Sequence, residues 1–324
     1  MERDDHSRDT WTLSDGHAGN VRQARALAAA LGRAEARDWQ LRAYAPWRWL
    51  SPRGTSGATL AFGRAFRDAL ATPPQLAIGC GRQAALATRV LRGRGARVVQ
   101  ILDPRLDPRH WDVVVAPEHD GLRGDNVLTL IGSLHPVDDA WLASARADFS
   151  ILSQLPQPRT ALLLGGPSRN APIDDDALDV QFARLHAALR DERGSLLLTT
   201  SRRTPPAWQA LARRHFADVP GIRWFASPGH SGADDNPYPG LLAWADRIVC
   251  TPDSVNMLSE ACATHAPVFV LATERVRGRL RRFHDSLRER GRVRACDAEL
   301  ETFEVVPLRE TTRIAAEVAQ RLTT

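Results

Sequence analysis

The chain contains no lysine, and all 43 of its basic residues are arginine. A Walker A phosphate loop, a protein-kinase active site and a pyridoxal-phosphate Schiff base each require a lysine amine. These three kinds of site are therefore excluded. A GC-rich genome produces the same preference for arginine codons, so the replacement of lysine by arginine is not itself evidence of a function.

Long apolar runs and closely spaced cysteines are also missing. No apolar run reaches the roughly 18 residues that a membrane span requires, and the polar N-terminus MERDDHSRDT has no apolar segment typical of a signal peptide. The four cysteines form no CxxC pair and no Cys/His ligand spacing, which favours reduced core cysteines and no metal site. We therefore expect a cytoplasmic protein that needs no metal.

The net charge of +5 is spread evenly along the sequence. Residues 1–155 contain 20 arginines and 17 acids, and residues 156–324 contain 23 arginines and 21 acids. Nucleic-acid binders usually concentrate positive charge on one face, so we predict no nucleic-acid partner.

One segment, residues 274–294, is locally rich in arginine, with nine arginines and three acids. Its apolar residues recur at helical spacing and form one stripe, which consists of Val276, Leu280, Phe283 and Leu287. Such a stripe favours packing on a core. Weak peripheral contact with the inner face of a membrane is the alternative.

Short β-rich runs alternate with helical stretches along the whole sequence. Continuous apolar runs separated by helices indicate parallel strands buried on both faces, so the fold class is α/β. A length of 324 residues fits two domains, and the prolines of SQLPQPRT place the boundary near residue 155. We predict two doubly wound Rossmann-like domains. The predicted strands are 10–15, 36–41, 75–81, 96–104, 111–117, 126–132, 160–166, 195–201, 221–227, 247–252 and 266–272, and a final helix is predicted at 309–322.

Ligands of such sheets bind beyond the carboxyl ends of the strands, and small polar residues follow several strands of this sequence. The turn SDGHAGN follows the first strand and precedes a helix predicted to begin near Val21. Its glycines allow a ligand to approach the backbone, and Asp15 and His17 can act as a base or bind a hydroxyl group. The later strand ends ILDPR and APEHD carry Asp, Arg and His, for which turn and capping chemistry is an equally good explanation.

The strand ends of the second half are more specific. TALLLGGPSRN ends its strand in Gly-Gly, and LLLTTSRRTPP ends its strand in two arginines flanked by hydroxyl residues, before prolines open a helix. Paired arginines in this position are typical of a phosphate clamp. In TPDSVNMLSEA, Asp253 or Ser254 is predicted to cap a helix, and Glu260 lies about two turns into it, where a carboxylate can accept the hydroxyls of a ribose. The combination predicts binding of a nucleoside-diphosphate-sugar.

A rival interpretation comes from GCGRQA (79–84), which matches the weak G-x-G-x-x-A dinucleotide pattern. Asp103, further along the chain, would then bind the ribose of NAD. The motif does not follow the first strand of its domain, however, and Asp103 runs directly into Pro-Arg. An NAD-dependent oxidoreductase is therefore the less favoured alternative.

The sequence resembles the bacterial branch of the mitochondrial fission-factor family of the plant elongated-mitochondria type, whose bacterial members are classed as candidate glycosyltransferases. The motifs that carry the resemblance are DGHAGNVRQ, ILDPR, APEHD, IGSLH, GGPS, TTSRRTPP, NPY, DSVNMLSEACATHAPV and RRFHDSLRERGRVR. The resemblance implies a GT-B-like architecture, in which two Rossmann-like domains face a cleft. The domains are then 1–155 on the acceptor side, 156–305 for the nucleotide-sugar, and 306–324, a helix that packs back on the first domain.

The resemblance also implies which residues meet each substrate. The donor nucleotide-sugar would be bound by Gly165, Gly166, Ser168, Ser201, Arg202, Arg203, Thr204, Asn236, Tyr238, Asp253, Ser254 and Glu260. The acceptor side would comprise Gly16, His17, Gly19, Asn20, Asp103, Arg105, Asp120 and His135. Many relatives carry a histidine where this chain has Asn20, so His17 is not assigned as the base. No cofactor is expected besides the nucleotide-sugar as co-substrate, and the acceptor is left open, with lipid-linked and cell-envelope molecules among the candidates.

We expect a metal-independent sugar transfer, in which Arg202, Arg203 and the helix N-terminus at Ser254 stabilise the leaving diphosphate. Asp15 or His119 would accept the proton of the acceptor. Plant members of the family recruit a dynamin-related protein to mitochondria. A non-catalytic adaptor on a glycosyltransferase-like fold is therefore the second function to consider.

Overall fold

The structure, a computed structural model, describes residues 9–226, 236–296 and 300–323. Within these residues it contains two parallel six-stranded sheets flanked by helices. The chain divides into two compact units, the first ending at Pro136 and the second spanning Val137–Arg309, after which the chain returns to the first unit. The predicted fold class, two doubly wound α/β domains, is confirmed.

The first unit is built on strands whose apolar residues are buried on both faces of the sheet. Its elements are β1 (Thr10–Ser14), α1 (Ala18–Ala30), β2 (Arg37–Gln40), α2 (Trp47–Leu50), a 3-10 helix (Ala58–Leu60), α3 (Gly63–Ala69), β3 (Leu76–Cys80), α4 (Arg82–Arg92), β4 (Arg97–Ile101), a 3-10 helix (Pro108–His110), β5 (Val113–Pro117), a 3-10 helix (Glu118–Asp120) and β6 (Val127–Leu130). The strand order is β2-β1-β3-β4-β5-β6. Every residue of VVVAP in β5 is buried, as expected for an inner strand of a parallel sheet.

The second unit is also a parallel six-stranded sheet with helices between its strands. Its elements are α5 (Asp139–Asp148), a 3-10 helix (Ser150–Gln154), β7 (Arg159–Leu164), α6 (Asp175–Asp191), β8 (Ser195–Thr200), α7 (Pro206–His215), β9 (Gly221–Trp224), α8 (Tyr238–Trp244), β10 (Arg247–Cys250), α9 (Val255–Cys262), β11 (Val268–Val270), a 3-10 helix (Thr273–Arg275), α10 (Gly278–Glu289) and β12 (Val293–Ala295). The strand order is β12-β11-β10-β7-β8-β9. All residues of β7 and β8 are buried, so these strands form the centre of the core.

The last helix, α11 (Glu310–Thr323), packs on the first unit. Its residues Ile314 and Val318 are buried in the cluster that contains Leu27 of α1. The hydroxyl group of Thr311 donates to the carbonyl oxygen of His135 at 2.8 Å and accepts from the His135 N–H at 3.0 Å. The buried apolar residues and the two hydrogen bonds between the Thr311 hydroxyl and the His135 backbone together hold the helix in place.

The division between the units lies after Pro136 rather than near residue 155. The reason is that α5 packs on α8 of the second unit: Arg146 donates to the carbonyl oxygen of Ala243 at 2.8 Å, and Gly240 lies so close to Phe149 that a Cβ would come within 2.4 Å of its ring. The proline-containing stretch SQLPQPRT therefore lies within the second unit and does not separate the two units.

All eleven predicted runs form strands, and β12 is the strand that the sequence pattern missed. The arginine-rich segment 274–294, whose apolar stripe predicts a helix, contains α10 up to Glu289 and then β12. The apolar stripe from Val276 to Leu287 is buried, so the prediction that it packs on a core is confirmed. Arg292 is buried as well, and its guanidinium donates to the carbonyl oxygens of Cys262, Thr264 and Ala266 beyond the end of α9.

Each sheet has one point at which the chain changes its direction of winding. In the first unit this switch point lies between β1 and β3, and in the second it lies between β7 and β10. Ligands of doubly wound folds bind beyond the carboxyl ends of the strands at such points. Among the described residues, no helix combines the length and apolar character that a membrane crossing requires.

Candidate functional site

Three neighbouring strand ends meet at the switch point of the second unit. Gly165 follows β7, Ser201 follows β8 and Thr251 follows β10, and β7 lies between the other two strands. The Gly165 N–H donates to the Thr251 hydroxyl at 2.7 Å, and the Ser201 N–H donates to the carbonyl oxygen of Leu164 at 2.8 Å. The turns after the three strands are thus joined by hydrogen bonds.

Asp253 lies at the centre of this arrangement. Its side chain has no exposed surface. The carboxylate accepts hydrogen bonds from the Gly166 N–H at 3.1 Å, from Arg203 Nη2 at 2.6 Å and from the Thr251 hydroxyl at 2.7 Å. Asp253, predicted to bind the donor directly, therefore holds the three turns together and turns no oxygen toward solvent in this structure. We call Asp253, Arg203, Gly166 and Thr251 the Asp253 cluster.

Gly165 and Gly166 are required by close packing in the Asp253 cluster. A Cβ on Gly165 would lie 2.1 Å from an oxygen of the Asp253 carboxylate, and a Cβ on Gly166 would lie 2.3 Å from the carbonyl oxygen of Arg203. Neither contact can be relieved by moving a flexible side chain, because the carboxylate is held by three donors and the other atom belongs to the backbone. Ser168, predicted with them, accepts from the Ala171 N–H at 3.1 Å and closes a separate turn.

The turn after β8 uses its hydroxyl groups internally and exposes its arginines. The Ser201 hydroxyl accepts from the Arg203 N–H at 3.1 Å, and the Thr204 hydroxyl accepts from the Ser201 N–H at 2.9 Å. Arg203 is 54% exposed and has one nitrogen on Asp253. Arg202 is exposed, and within the described part of the chain its side chain has no hydrogen bond or ion pair. Two guanidinium groups, one anchored and one unpaired, therefore lie at this strand end.

The helix α9 begins at the same place. Ser254 is its N-cap and accepts from the Met257 N–H at 3.3 Å, as the sequence predicted for Asp253 or Ser254. The N–H groups at the start of α9 can therefore face an anion beyond β10.

Glu260 of α9 is paired with Tyr238. Glu260 is buried and accepts a hydrogen bond of 2.5 Å from the Tyr238 hydroxyl. Asn236 accepts from the Tyr238 N–H at 3.0 Å and so fixes the start of α8. The structure thus brings together three residues predicted to bind the donor, but a ribose can reach the Glu260 carboxylate only if Tyr238 moves.

His284, which was not predicted from the sequence, contacts the turn that contains Asp253 through the carbonyl oxygen of Pro252. His284 is buried on α10, and its Nε2 lies 2.8 Å from the carbonyl oxygen of Pro252. Within the described residues its Nδ1 has no partner. Burial lowers the pKa of His284, so the ring is neutral near pH 7 and donates from Nε2. Its spacing of four from Leu280, on the apolar stripe, was the available signal.

The switch point of the first unit carries a different set of contacts. Asp15, 18% exposed, accepts from the Asn20 amide at 2.9 Å and from the His17 N–H at 3.1 Å. The imidazole of His17 is 83% exposed and lies 4.0 Å from the Asp15 carboxylate. Gly16 has a φ of +81° and Gly81, after β3, has a φ of +90°. The turns at this switch point thus hold the partly exposed Asp15 carboxylate through two uncharged donors. Gly19 lies in the first turn of α1.

The other predicted acceptor-side residues lie apart from this turn. Asp103 follows β4 and bonds Arg105, through the Arg105 N–H at 2.8 Å and its Nε at 3.1 Å. His119 and Asp120 lie half-buried in the 3-10 helix after β5. His135 is buried, and its backbone holds α11, so it does not offer an acceptor-facing side chain.

The dinucleotide pattern GCGRQA is explained by packing. A Cβ on Gly79 would lie 2.7 Å from the methyl group of Thr88 and 2.9 Å from the side-chain oxygen of Gln100. Gly79 therefore lets α4 approach the sheet. Because Arg105 already occupies the Asp103 carboxylate, the geometry of this strand end gives no support to NAD binding.

All four cysteines are buried and none forms a disulfide, as the sequence predicted. Burial raises the pKa of the Cys262 thiol to about 12. Burial, with a smaller effect of the Asp15 carboxylate, also raises the pKa of Cys80 well above its usual range. The Cys80 and Cys262 thiols are therefore protonated near pH 7 and are not nucleophiles.

Sequence comparison identifies relatives over most of the chain. A family model described as Mitochondrial fission ELM1 matches residues 18–322. The Arabidopsis thaliana protein named Mitochondrial fission protein ELM1 is 31% identical over 282 residues, which cover 76% of this chain and 65% of that protein. The chain thus spans less than two thirds of the length of this relative.

Solved structures of other proteins share the fold at low sequence identity. UDP-N-acetylglucosamine 2-epimerase from Rickettsia bellii matches with a TM-score of 0.56 and 14% identity, over 97% of this chain and 95% of its own. UGT2 of Phytolacca americana, complexed with UDP-2-fluoro-glucose and pterostilbene, matches with a TM-score of 0.52 and 10% identity, over 96% and 89% of the two chains. At these identities the likeness establishes the fold alone.

Proposed function

This chain belongs to the mitochondrial fission ELM1 family, and from that premise we propose that it is a glycosyltransferase whose second unit binds a nucleoside-diphosphate-sugar. The observation that carries the proposal lies at the switch point between β7 and β10, where Arg203, in the turn after β8, bonds Asp253 directly before the N-cap of α9, and the exposed Arg202 precedes Arg203 in the chain. A diphosphate needs such a combination of guanidinium groups and helix N–H groups.

In the proposed reaction, an acceptor hydroxyl attacks the anomeric carbon of the sugar, and the bond to the diphosphate oxygen breaks. The electron pair leaves with the diphosphate, whose charge Arg202, Arg203 and the α9 N-terminus stabilise. Asp15 or His119 takes the proton of the hydroxyl group. Asp15 is supported by its partial exposure, through which an acceptor hydroxyl group can reach the carboxylate.

The pair between Arg203 and Asp253 gives the two arginines different parts. Arg203 keeps one nitrogen on the buried carboxylate, and its other nitrogens can face a phosphate. This pairing offsets part of its positive charge. Arg202, which has no such partner among the described residues, then supplies the larger electrostatic contribution to diphosphate binding.

A thermal-shift panel of UDP, GDP, ADP and NAD with the full chain tests the proposal. We include UDP first because the two fold relatives named above act on or bind UDP-sugars. We expect one nucleoside diphosphate to raise the melting temperature, and Arg202→Ala to weaken its binding by roughly 1.5–3 kcal/mol. Arg184→Ala, an exposed arginine on α6, serves as the matched control.

The other outcomes point to other functions. Stabilisation by NAD alone would favour an oxidoreductase. Absence of stabilisation by every nucleotide would favour a non-catalytic adaptor, the alternative suggested by the name of the Arabidopsis relative, a mitochondrial fission protein. If UDP binds, release of free UDP from a UDP-sugar supports transfer, whereas conversion to a second UDP-sugar supports epimerisation.

A further inference from the structure

The segment between β2 and α3 presents an apolar surface to solvent. Among the described residues, seven large hydrophobic side chains are strongly exposed, and four of them lie within residues 44–60. They are Tyr44 at 63%, Trp49 at 70%, Leu50 at 49% and Leu60 at 51%. Scattered single residues of this kind need no explanation, but a group of four in one short segment does.

The segment is held firmly, so the exposure is not that of a loose loop. Its two ends are joined by a bond of 2.8 Å from the Tyr44 N–H to the carbonyl oxygen of Ala61. Arg89 of α4 donates to the carbonyl oxygen of Pro52 at 2.6 Å, and the indole of Trp47 donates to that of Ser56 at 3.1 Å. Ala58 and Ala61 are buried against Leu86, with Trp47 packed beside them.

The same segment is strongly cationic. Between Asp38 and Asp68 the sequence has no acidic residue and five arginines, which are Arg42, Arg48, Arg53, Arg64 and Arg67. Arg64 and Arg67 contact Asp68. Arg42 and Arg48 are exposed and have no side-chain partner in the described ranges, and Arg53 bonds only a carbonyl oxygen, that of Arg105 at 3.4 Å. Within the described residues, none of these three arginines forms an ion pair with an acid.

We propose that this surface binds the protein to an anionic lipid bilayer, with Trp49 and Leu50 among the headgroups and acyl chains and Arg42, Arg48 and Arg53 on the lipid phosphates. Tryptophan and tyrosine favour the membrane interface, and each arginine near an anionic surface adds to binding. Charge complementarity selects this partner. Two copies of the same cationic surface would repel each other, so an anionic partner fits the surface better than a second copy does.

The proposal goes beyond the sugar-transfer function and moves the membrane contact to a different part of the chain. The sequence placed the alternative of weak membrane contact in residues 274–294, but the apolar stripe of that segment is buried. In residues 42–60 four large apolar side chains are exposed, and three exposed arginines lie in the same segment.

Co-sedimentation of the full chain with vesicles tests the proposal. The vesicles contain either phosphatidylcholine alone or phosphatidylcholine with about one third phosphatidylglycerol. We expect binding to the anionic vesicles that weakens as salt is added. Trp49→Ser combined with Leu50→Ser should reduce the partition coefficient about tenfold, and Arg48→Glu combined with Arg53→Glu should do the same. The matched control is Ile151→Ser with Val180→Ser, two exposed apolar residues of the second unit.

Three results would overturn the proposal. The wild type would fail to bind anionic vesicles, or would bind neutral vesicles equally well, or the control pair would lose as much binding as the two test pairs. Velocity sedimentation and the melting temperature of each variant accompany the assay. A change from dimer to monomer in the Trp49/Leu50 variant would assign the surface to a second copy and refute the lipid assignment. UDP stabilisation is unaffected by these changes, so failure here leaves the sugar-transfer proposal standing.

Discussion

The two sheets change direction at equivalent points but place different chemistry there. Beyond β7 and β10, the Asp253 carboxylate has no exposed surface and is held by a guanidinium, an N–H and a hydroxyl group. Beyond β1 and β3, the Asp15 carboxylate is 18% exposed and is held by an amide and an N–H. One carboxylate is enclosed by its three donors, and the other keeps part of its surface open to solvent.

The difference indicates a division of tasks between two doubly wound units, whose strand orders are β2-β1-β3-β4-β5-β6 and β12-β11-β10-β7-β8-β9. The anchored Arg203 and the unpaired Arg202 at the second switch point suit a leaving diphosphate, because they can act where negative charge develops. A partly exposed carboxylate suits proton transfer, because an acceptor hydroxyl group can reach it. The sheet alone therefore does not determine the chemistry, which depends on the side chains that follow each strand.

The largest expected difference concerns the glycines of the two turns. Gly165→Ala should destabilise the second unit by about 3 kcal/mol, because its Cβ would lie 2.1 Å from a carboxylate that cannot move. Gly16→Ala should cost about 1 kcal/mol for its positive φ, since the nearest atom is the end of the flexible Gln40 side chain at 3.2 Å. Urea unfolding measures both. Equal losses would contradict a rigid Asp253 cluster.

The next difference concerns the two carboxylates. Asp253→Asn should reduce the free energy of unfolding by about 2 kcal/mol, because Arg203 and the Gly166 N–H lose a charged acceptor. Asp15→Asn should change it by less than about 0.5 kcal/mol, since a single amide oxygen can accept both bonds that Asp15 Oδ1 accepts. A loss at Asp15 as large as that at Asp253 would remove the distinction between the two turns.

The two neighbouring arginines sharpen the comparison within the second unit. Arg203→Ala should lower stability by about 1–2 kcal/mol, because the buried Asp253 loses its cation. Arg202→Ala should leave the melting temperature within error, since its side chain has no partner in the described residues. Differential scanning calorimetry without nucleotide measures this effect separately from binding. If Arg202→Ala destabilised the protein and Arg203→Ala did not, Arg203 would not be the residue that is anchored to Asp253.

The smallest expected effect is the pH dependence of stability that His284 of the second unit causes. Burial lowers the pKa of His284 in the folded state. Below the ordinary pKa of histidine, about 6.5, the unfolded chain therefore binds more protons than the folded chain does. The free energy of unfolding consequently decreases as the pH falls through this range. His284→Gln should therefore lose less melting temperature than the wild type between about pH 7.5 and pH 5.5. His17→Gln, at the exposed histidine of the first turn, is the control and should follow the wild type.

Much of the fold could be predicted from the sequence, because the inner strands of a parallel sheet appear in it as continuous apolar runs. The strand β12 was missed because Val293-Arg294-Ala295 is short and follows an arginine-rich helix. The start of α9 at Ser254 was predictable, since capping is a local property.

The contacts inside the site could not be predicted, because their partners come from distant parts of the chain. Asp253 bonds Gly166 and Arg203, which follow other strands of the sheet. His284 reaches Pro252 from a separate helix. The family resemblance implied that Asp253 binds the donor, and in the structure its carboxylate bonds the turns that follow β7 and β8.

Amide hydrogen exchange with and without the nucleoside diphosphate that gives the largest thermal shift tests the division of tasks most directly. We predict slower exchange at Gly165–Gly166, at Ser201–Thr204 and at the start of α9, with residues 15–20 unchanged. Protection confined to residues 15–20 and 79–84, with no change beyond β7, β8 and β10, would contradict the account.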